Sequence, residues 1–149
     1  MSVIQTWAKL PSRERRLLLR ALPLVLVVRI ALWVLPWRWT MALSRRFSVA
    51  RARRATGTVD EIVRAVTRAG GRVPRATCLT RAIAASVMLG RRGVPASIRF
   101  GVARDAGGKL IAHAWVESGE RIVIGGTTSP RRYASFPAVS VTGDAARAC

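Results

Sequence analysis

The sequence is poor in acidic residues, in cysteine and in histidine. Of its 149 residues only 7 are Asp or Glu, against 26 Lys or Arg, so its formal net charge is +19. Two cysteines cannot build a disulfide scaffold, and one histidine cannot complete the four-ligand shell of a zinc site. We therefore expect no metal and no other cofactor. The low cysteine count suits a reducing compartment, so we predict a cytoplasmic protein.

The high charge does not make the chain disordered. Half of the residues are hydrophobic, whereas disorder needs low hydrophobicity together with high charge. A chain of this length supports one sizeable core. The arginines spread from Arg13 to Arg147, so a composition biased toward arginine explains them as well as a binding function does.

Residues 1–56 are predicted to form a basic, helical region rich in Trp and Leu. Ser12 is a candidate N-cap, with Glu14 in the first turn, where the helix dipole favours an acid. Residues 44–56 contain five arginines and no acid, which is typical of a linker or a solvated basic face. Residues 57–149 form the second predicted unit.

Residues 17–39 raise the question of a membrane span. Pro23 and Pro36 shorten the apolar stretch, and Arg29 near its centre costs about 3 kcal/mol on insertion scales. We predict a helix buried against the domain or a partner, with a membrane-surface role as the alternative. The first 10 residues mix Trp, Lys and polar groups, so no secretory signal is expected.

Two helices and three strands follow in residues 57–149. Thr58 and Glu61 form a capping box, and Gly70-Gly71 ends that helix. Thr77 is the candidate N-cap of a second, apolar helix, which places Cys78 in its first turn. The hydrophobic period then changes from 3.6 to 2, which predicts antiparallel strands over residues 98–103, 109–117 and 120–124, with a hairpin turn at residues 118–119.

Cys78 and His113 are the candidate catalytic residues. Unpaired N–H groups at a helix start stabilise a thiolate, and His113 lies on the strand face opposite Leu110, Ala112 and Ala114. Helix-Cys followed by strand-His is the chain order of papain-like and transglutaminase-like enzymes. The alternative is that Cys78 is a small buried side chain and His113 a structural hydrogen-bonding residue.

Four segments together resemble a known family. They are residues 76–84 (ATCLTRAIA), 91–96 (RRGVPA), 98–102 (IRFGV) and 112–117 (AHAWVE). These segments are similar to the leader peptidase, or B protein, of lasso-peptide biosynthesis, a transglutaminase-like cysteine protease. The resemblance implies an α+β fold in which the Cys-bearing helix packs on an antiparallel sheet, with an N-terminal helical extension. It also implies Cys78 as nucleophile and His113 as general base.

The third catalytic residue of that family, an Asp on the strand after the His hairpin, has no counterpart here. The predicted hairpin puts Ile124 opposite His113 and Gly125 beside it. Glu117 lies four residues along the strand, roughly 13 Å away, and Asp144 is the other carboxylate near in sequence. Asp60 or Glu61, a backbone carbonyl or a water would then orient the ring, or the enzyme works as a dyad.

The resemblance also implies partners. The substrate would be a precursor peptide with leader and core segments, and an ATP-dependent cyclase would act on the cleaved product. Because 149 residues leave no room for a leader-binding module, we expect the split form of the family, with a separate recognition protein. The positive surface suits an acidic leader or partner.

Other function classes remain open at this point. A basic nucleic-acid-binding protein fits the charge, but the sequence has no helix-turn-helix spacing, zinc ligands or RNP-like strand. A peripheral membrane protein anchored through residues 17–39 is a third possibility. Acyl transfer to an amine is a related enzymatic alternative, because the same thioester intermediate serves both reactions.

Overall fold

A computed structural model describes residues 11–49, 58–126, 133–136 and 139–140. In these residues the elements are, in chain order, α1 (Ser12–Val34), α2 (Trp37–Val49), α3 (Val59–Gly70), α4 (Cys78–Gly90), β1 (Ser97–Arg104), β2 (Leu110–Ser118), β3 (Arg121–Ile124), β4 (Ala134–Ser135) and β5 (Val139–Ser140). The strands form one antiparallel sheet in the order β3-β2-β1-β4, with β5 also on β1. The predicted α+β fold is confirmed.

In the N-terminal region the structure corrects one prediction and decides between two alternatives. Ser12 is already helical, and Pro11 occupies the N-cap position without a side-chain cap. Residues 44–49 belong to α2, so of the two alternatives for residues 44–56 the structure shows a solvated basic face there and not a linker, while residues 50–56 lie outside the described residues. The reason is packing, because Met41 and Ser44 of α2 are buried, whereas Arg45 and Arg46 face solvent.

Pro23 does not interrupt α1. Proline removes the hydrogen bond to the carbonyl four residues earlier, which belongs here to Leu19. Both residues lie on the exposed side of the helix, where water can satisfy that carbonyl. The opposite side of α1 contributes Leu18, Ala21 and Val25 to the core.

Capping residues fix the starts of α3 and α4 as predicted. Thr58 N–H donates to Glu61 Oε2 at 2.6 Å, and Glu61 N–H donates to Thr58 Oγ1 at 3.3 Å. Thr77 Oγ1 accepts from Thr80 N–H at 3.3 Å, so Cys78 is the first residue of α4. Such caps satisfy N–H groups that a helix start leaves without partners.

An ion pair connects α1 to α3. Glu14 contacts Arg68 at 2.8 Å and Arg64 at 3.4 Å. The hydrogen bond from Arg68 lowers the pKa of Glu14 below its ordinary value, and the charges of both arginines act in the same direction.

The sheet places alternate residues of β2 in two environments. Ala114 and Val116 join the apolar core with Ile98 of β1 and the residues of α4. His113 and Trp115 turn to the other face, where their rings stack. The predicted alternation along this strand is confirmed.

The predicted hairpin turn is wrong by one residue. Ser118 pairs with Arg121, so the turn is Gly119-Glu120, and Gly119 has a φ of 61°. A positive φ at the first turn position suits a type II′ hairpin, which glycine adopts without steric cost. A β-bulge next to Val116 then pairs that residue with Ile124, so Ile124 is not opposite His113.

Candidate active site

Cys78 lies where helix α4 begins, beside the apolar core. It is a free cysteine of intermediate exposure, and its side chain packs against the core cluster. The N–H groups of the first helical turn have no partners inside the helix and favour an anion. The position therefore combines access from solvent with backbone groups that stabilise a thiolate.

Among the described residues, a hydrogen bond and two aromatic rings hold His113. Its Nε2 is 2.8 Å from the carbonyl oxygen of Gly125. Its ring is stacked with Trp115, with centroids 6.3 Å apart, and lies 5.2 Å from the ring of Tyr133. Because a carbonyl can only accept, Nε2 carries the proton, and Nδ1 of the neutral ring is left as the acceptor.

Gly125 reaches His113 because it has no side chain. Its φ is 102°, a conformation that L side chains rarely adopt. A Cβ added there would overlap the Cβ of Trp115 and lie 2.8 Å from the Trp115 Cα. Glycine is therefore required both for the backbone conformation and for the close approach that brings its carbonyl to the imidazole.

The carboxylates considered from sequence have other partners. Asp60 pairs with Arg121 at 2.9 Å, and Glu61 accepts the cap hydrogen bond of Thr58. Asp144 lies outside the described residues. Of the alternatives for orienting the ring, the structure shows the backbone carbonyl.

Glu117 supports the site indirectly, through Trp115. One carboxylate oxygen accepts from Trp115 Nε1 and the other from Arg99 Nε, each at 2.9 Å. Trp115 is only 1% exposed, and its ring contacts both His113 and Tyr133. Glu117 and Arg99 therefore fix the indole on which the imidazole lies.

Sequence reasoning missed the roles of Trp115 and Tyr133. The signal for Trp115 was present, because residues 113, 115 and 117 share one strand face. Tyr133 carried no such signal, since residues beyond Gly125 show no clear periodicity. Its position depends on β4, which pairs with β1 at Gly101 and Val102.

Among the described residues, no hydrogen bond joins Cys78 to His113, and the imidazole of His113 is hydrogen-bonded to Gly125. Each residue lies on the element that the sequence predicted, one at the start of α4 and one on β2. His113 lies on the face of the sheet opposite Ala114 and Val116, the β2 residues that join the core with α4. The assignment of both residues to catalysis stays a prediction.

The described residues contain no cluster of side chains that could hold a metal ion. In the part of the chain that the structure covers, no three His, Cys, Asp or Glu side chains come together as a metal site would require.

Comparison with known proteins assigns the family. Residues 22–140 match the family model described as Transglut_core3, Transglutaminase-like superfamily. No curated protein and no solved structure gives a significant match. Because the match covers most of the chain, the protein belongs to the transglutaminase-like superfamily, whose members are in general cysteine-dependent enzymes.

Glu117→Gln should loosen the aromatic support of His113. The amide keeps the size of the side chain but loses the charge that binds Arg99, and hydrogen bonds to charged groups contribute about 1.5–3 kcal/mol. We expect the free energy of unfolding to fall by about 1–2 kcal/mol, since the pair is partly exposed. Urea denaturation measures this loss. Glu120→Gln, in the adjacent exposed turn, is the matched control, and an equal loss in both variants would contradict the role of Glu117.

Proposed function

We propose that this chain is a cysteine peptidase that removes the leader from a lasso-peptide precursor, with Cys78 as nucleophile and His113 as general base and acid. The observation that carries the proposal is the hydrogen bond from His113 Nε2 to the Gly125 carbonyl. It leaves Nδ1 as the basic nitrogen, in a transglutaminase-like chain whose core helix begins at a cysteine. The sequence segments around both residues supply the resemblance to leader peptidases.

The reaction proceeds by acyl transfer through the cysteine. Nδ1 of His113 takes the proton of the Cys78 thiol, and Sγ attacks the carbonyl carbon of the scissile peptide bond. The tetrahedral intermediate collapses as the C–N bond breaks, and the imidazolium gives its proton to the leaving amine. Water, deprotonated by the same imidazole, then hydrolyses the thioester and releases the leader acid with the free thiol.

The Gly125 carbonyl orients the imidazole of His113, as a carboxylate does in a catalytic triad. It fixes the tautomer and the ring plane, because it accepts the Nε2 proton and cannot donate. The carbonyl is neutral, so the imidazolium is stabilised by a dipole and not by the negative charge of a carboxylate. The backbone N–H of Cys78 is the candidate donor to the oxyanion of the intermediate.

The chain would act with partners. A separate recognition protein would bring the leader to Cys78, and the ATP-dependent cyclase would use the amine that cleavage releases. A net charge of +19 favours association with an acidic leader or an acidic protein surface.

The test is a reconstituted cleavage reaction. The purified chain is incubated with the precursor peptide, with and without the recognition protein, and the products are identified by mass spectrometry. We expect one cut between leader and core, at a rate that increases when the recognition protein is present. A precursor that remains intact with a folded chain and a recognition protein shown to bind the leader would contradict the proposal.

A further inference from the structure

Helix α1 has a second apolar face, on the side that does not contact the core. Six large apolar side chains on this face are between 47% and 83% exposed. They are Leu19, Leu26, Val27, Ile30, Trp33 and Val34. At 100° per residue they fall within one sector about 120° wide, and they extend over about 22 Å of helix. We call this surface the α1 stripe.

Arginines lie at both ends of the α1 stripe, and tryptophans lie at its C-terminal end. Arg15 and Arg16 are exposed near the start of α1, next to Leu19. Beyond Val34, the start of α2 exposes Trp37 and Trp39, on either side of Arg38. Tryptophan at the headgroup level and arginine near anionic phosphates are typical of segments that lie at a membrane interface.

We propose that the α1 stripe binds the surface of an anionic lipid bilayer, with α1 lying in the plane of the interface. The apolar side chains enter the acyl boundary, and the arginines at its ends contact lipid phosphates. Charge complementarity favours lipid as the occupant, because the chain carries +19 and the stripe contains no acidic residue. The inference does not depend on the proposed peptidase activity.

The same helix is poorly suited to spanning the bilayer. The helix is long enough to span a bilayer, and an 18-residue stretch of it has a mean hydropathy of 2.2. However, 28% of that stretch is buried inside the protein. Spanning would require Leu18, Ala21 and Val25 to leave the core, in which all three are at most 1% exposed. An interfacial position keeps these contacts and places only the exposed face in lipid.

Flotation of the full-length chain with vesicles tests the proposal. Vesicles of equal parts phosphatidylcholine and phosphatidylglycerol should carry the parent chain, whereas pure phosphatidylcholine vesicles should carry at least about tenfold less. The double variant Leu26→Glu, Ile30→Glu should bind the anionic vesicles at least about tenfold more weakly. Leu110→Glu, at a 58% exposed site on β2, is the matched control and should bind as the parent does.

Three results would overturn the proposal. In the first, the parent chain fails to bind anionic vesicles. In the second, the double variant binds them as strongly as the parent, which would show that charge alone causes the binding. Size-exclusion chromatography without lipid could also show a dimer that the double variant dissociates, and the occupant of the stripe would then be a second copy. Circular dichroism establishes that the variants are folded.

Discussion

Replacing Cys78 by alanine should reduce the rate of leader cleavage by at least about a thousandfold, with little change in binding of the precursor. The variant removes the sulfur that would form the thioester, whereas the start of α4 keeps its cap at Thr77. The loss therefore appears in kcat and not in KM. Single-turnover cleavage followed by mass spectrometry measures it.

His113→Ala should cause a loss of similar size, because the two residues act as one unit and their effects are not additive. The cleavage rate of a chain with both Cys78→Ala and His113→Ala should be within about tenfold of the rate of either single variant. Cys149→Ala is the control for cysteine replacement and should retain full activity. If folded Cys78→Ala or His113→Ala chains cleave like the parent, the catalytic assignment is wrong.

Gly125→Ala should reduce cleavage by about a hundredfold, the effect expected when a catalytic group moves by about 1 Å. The new methyl group meets Trp115, so the backbone must shift and take the carbonyl away from His113 Nε2. Gly126→Ala is a matched control, because Gly126 also has a positive φ, of 89°, but has open space around its Cα. Both variants bear the backbone strain, and only Gly125→Ala displaces the carbonyl.

The imidazole nitrogens give this prediction a second readout. His113 is the only histidine, so a ¹⁵N-labelled chain has one pair of ring signals. We expect the neutral ring to be protonated at Nε2 in the parent and in Gly126→Ala, and to become a mixture of tautomers in Gly125→Ala. A parent ring protonated at Nδ1, or equal cleavage by the two glycine variants, would contradict the role of the Gly125 carbonyl.

The elements that position the site could be predicted because local chemistry determines them. The Thr58 and Thr77 side chains each accept a hydrogen bond from the N–H three residues later, so short sequence motifs predict the starts of α3 and α4. Successive side chains of a strand point to opposite faces of the sheet, so the sequence also predicts that His113, Trp115 and Glu117 share one face of β2. These features gave the fold class and the location of both candidate catalytic residues.

Features that depend on distant contacts were not predictable from the sequence. The bulge beside Val116 changes the β2-β3 register, and nothing in residues 116–124 marks it. For residues 44–49 the sequence left a linker and a solvated basic face open, because the burial of Met41 and Ser44 and the contact of Trp37 with Phe100, 63 positions away, are tertiary contacts. The position of Tyr133 against His113 is a tertiary contact of the same kind.

The central claim is that His113 activates the thiol of Cys78, and the rate of Cys78 alkylation tests it most directly. In a Cys149→Ser background, iodoacetamide reacts with Cys78 alone, and no precursor or partner is needed. The account predicts that His113→Ala slows alkylation at least about tenfold at about pH 6, where an unassisted thiol is almost fully protonated. Alkylation rates that agree within about twofold between the two folded chains would contradict it.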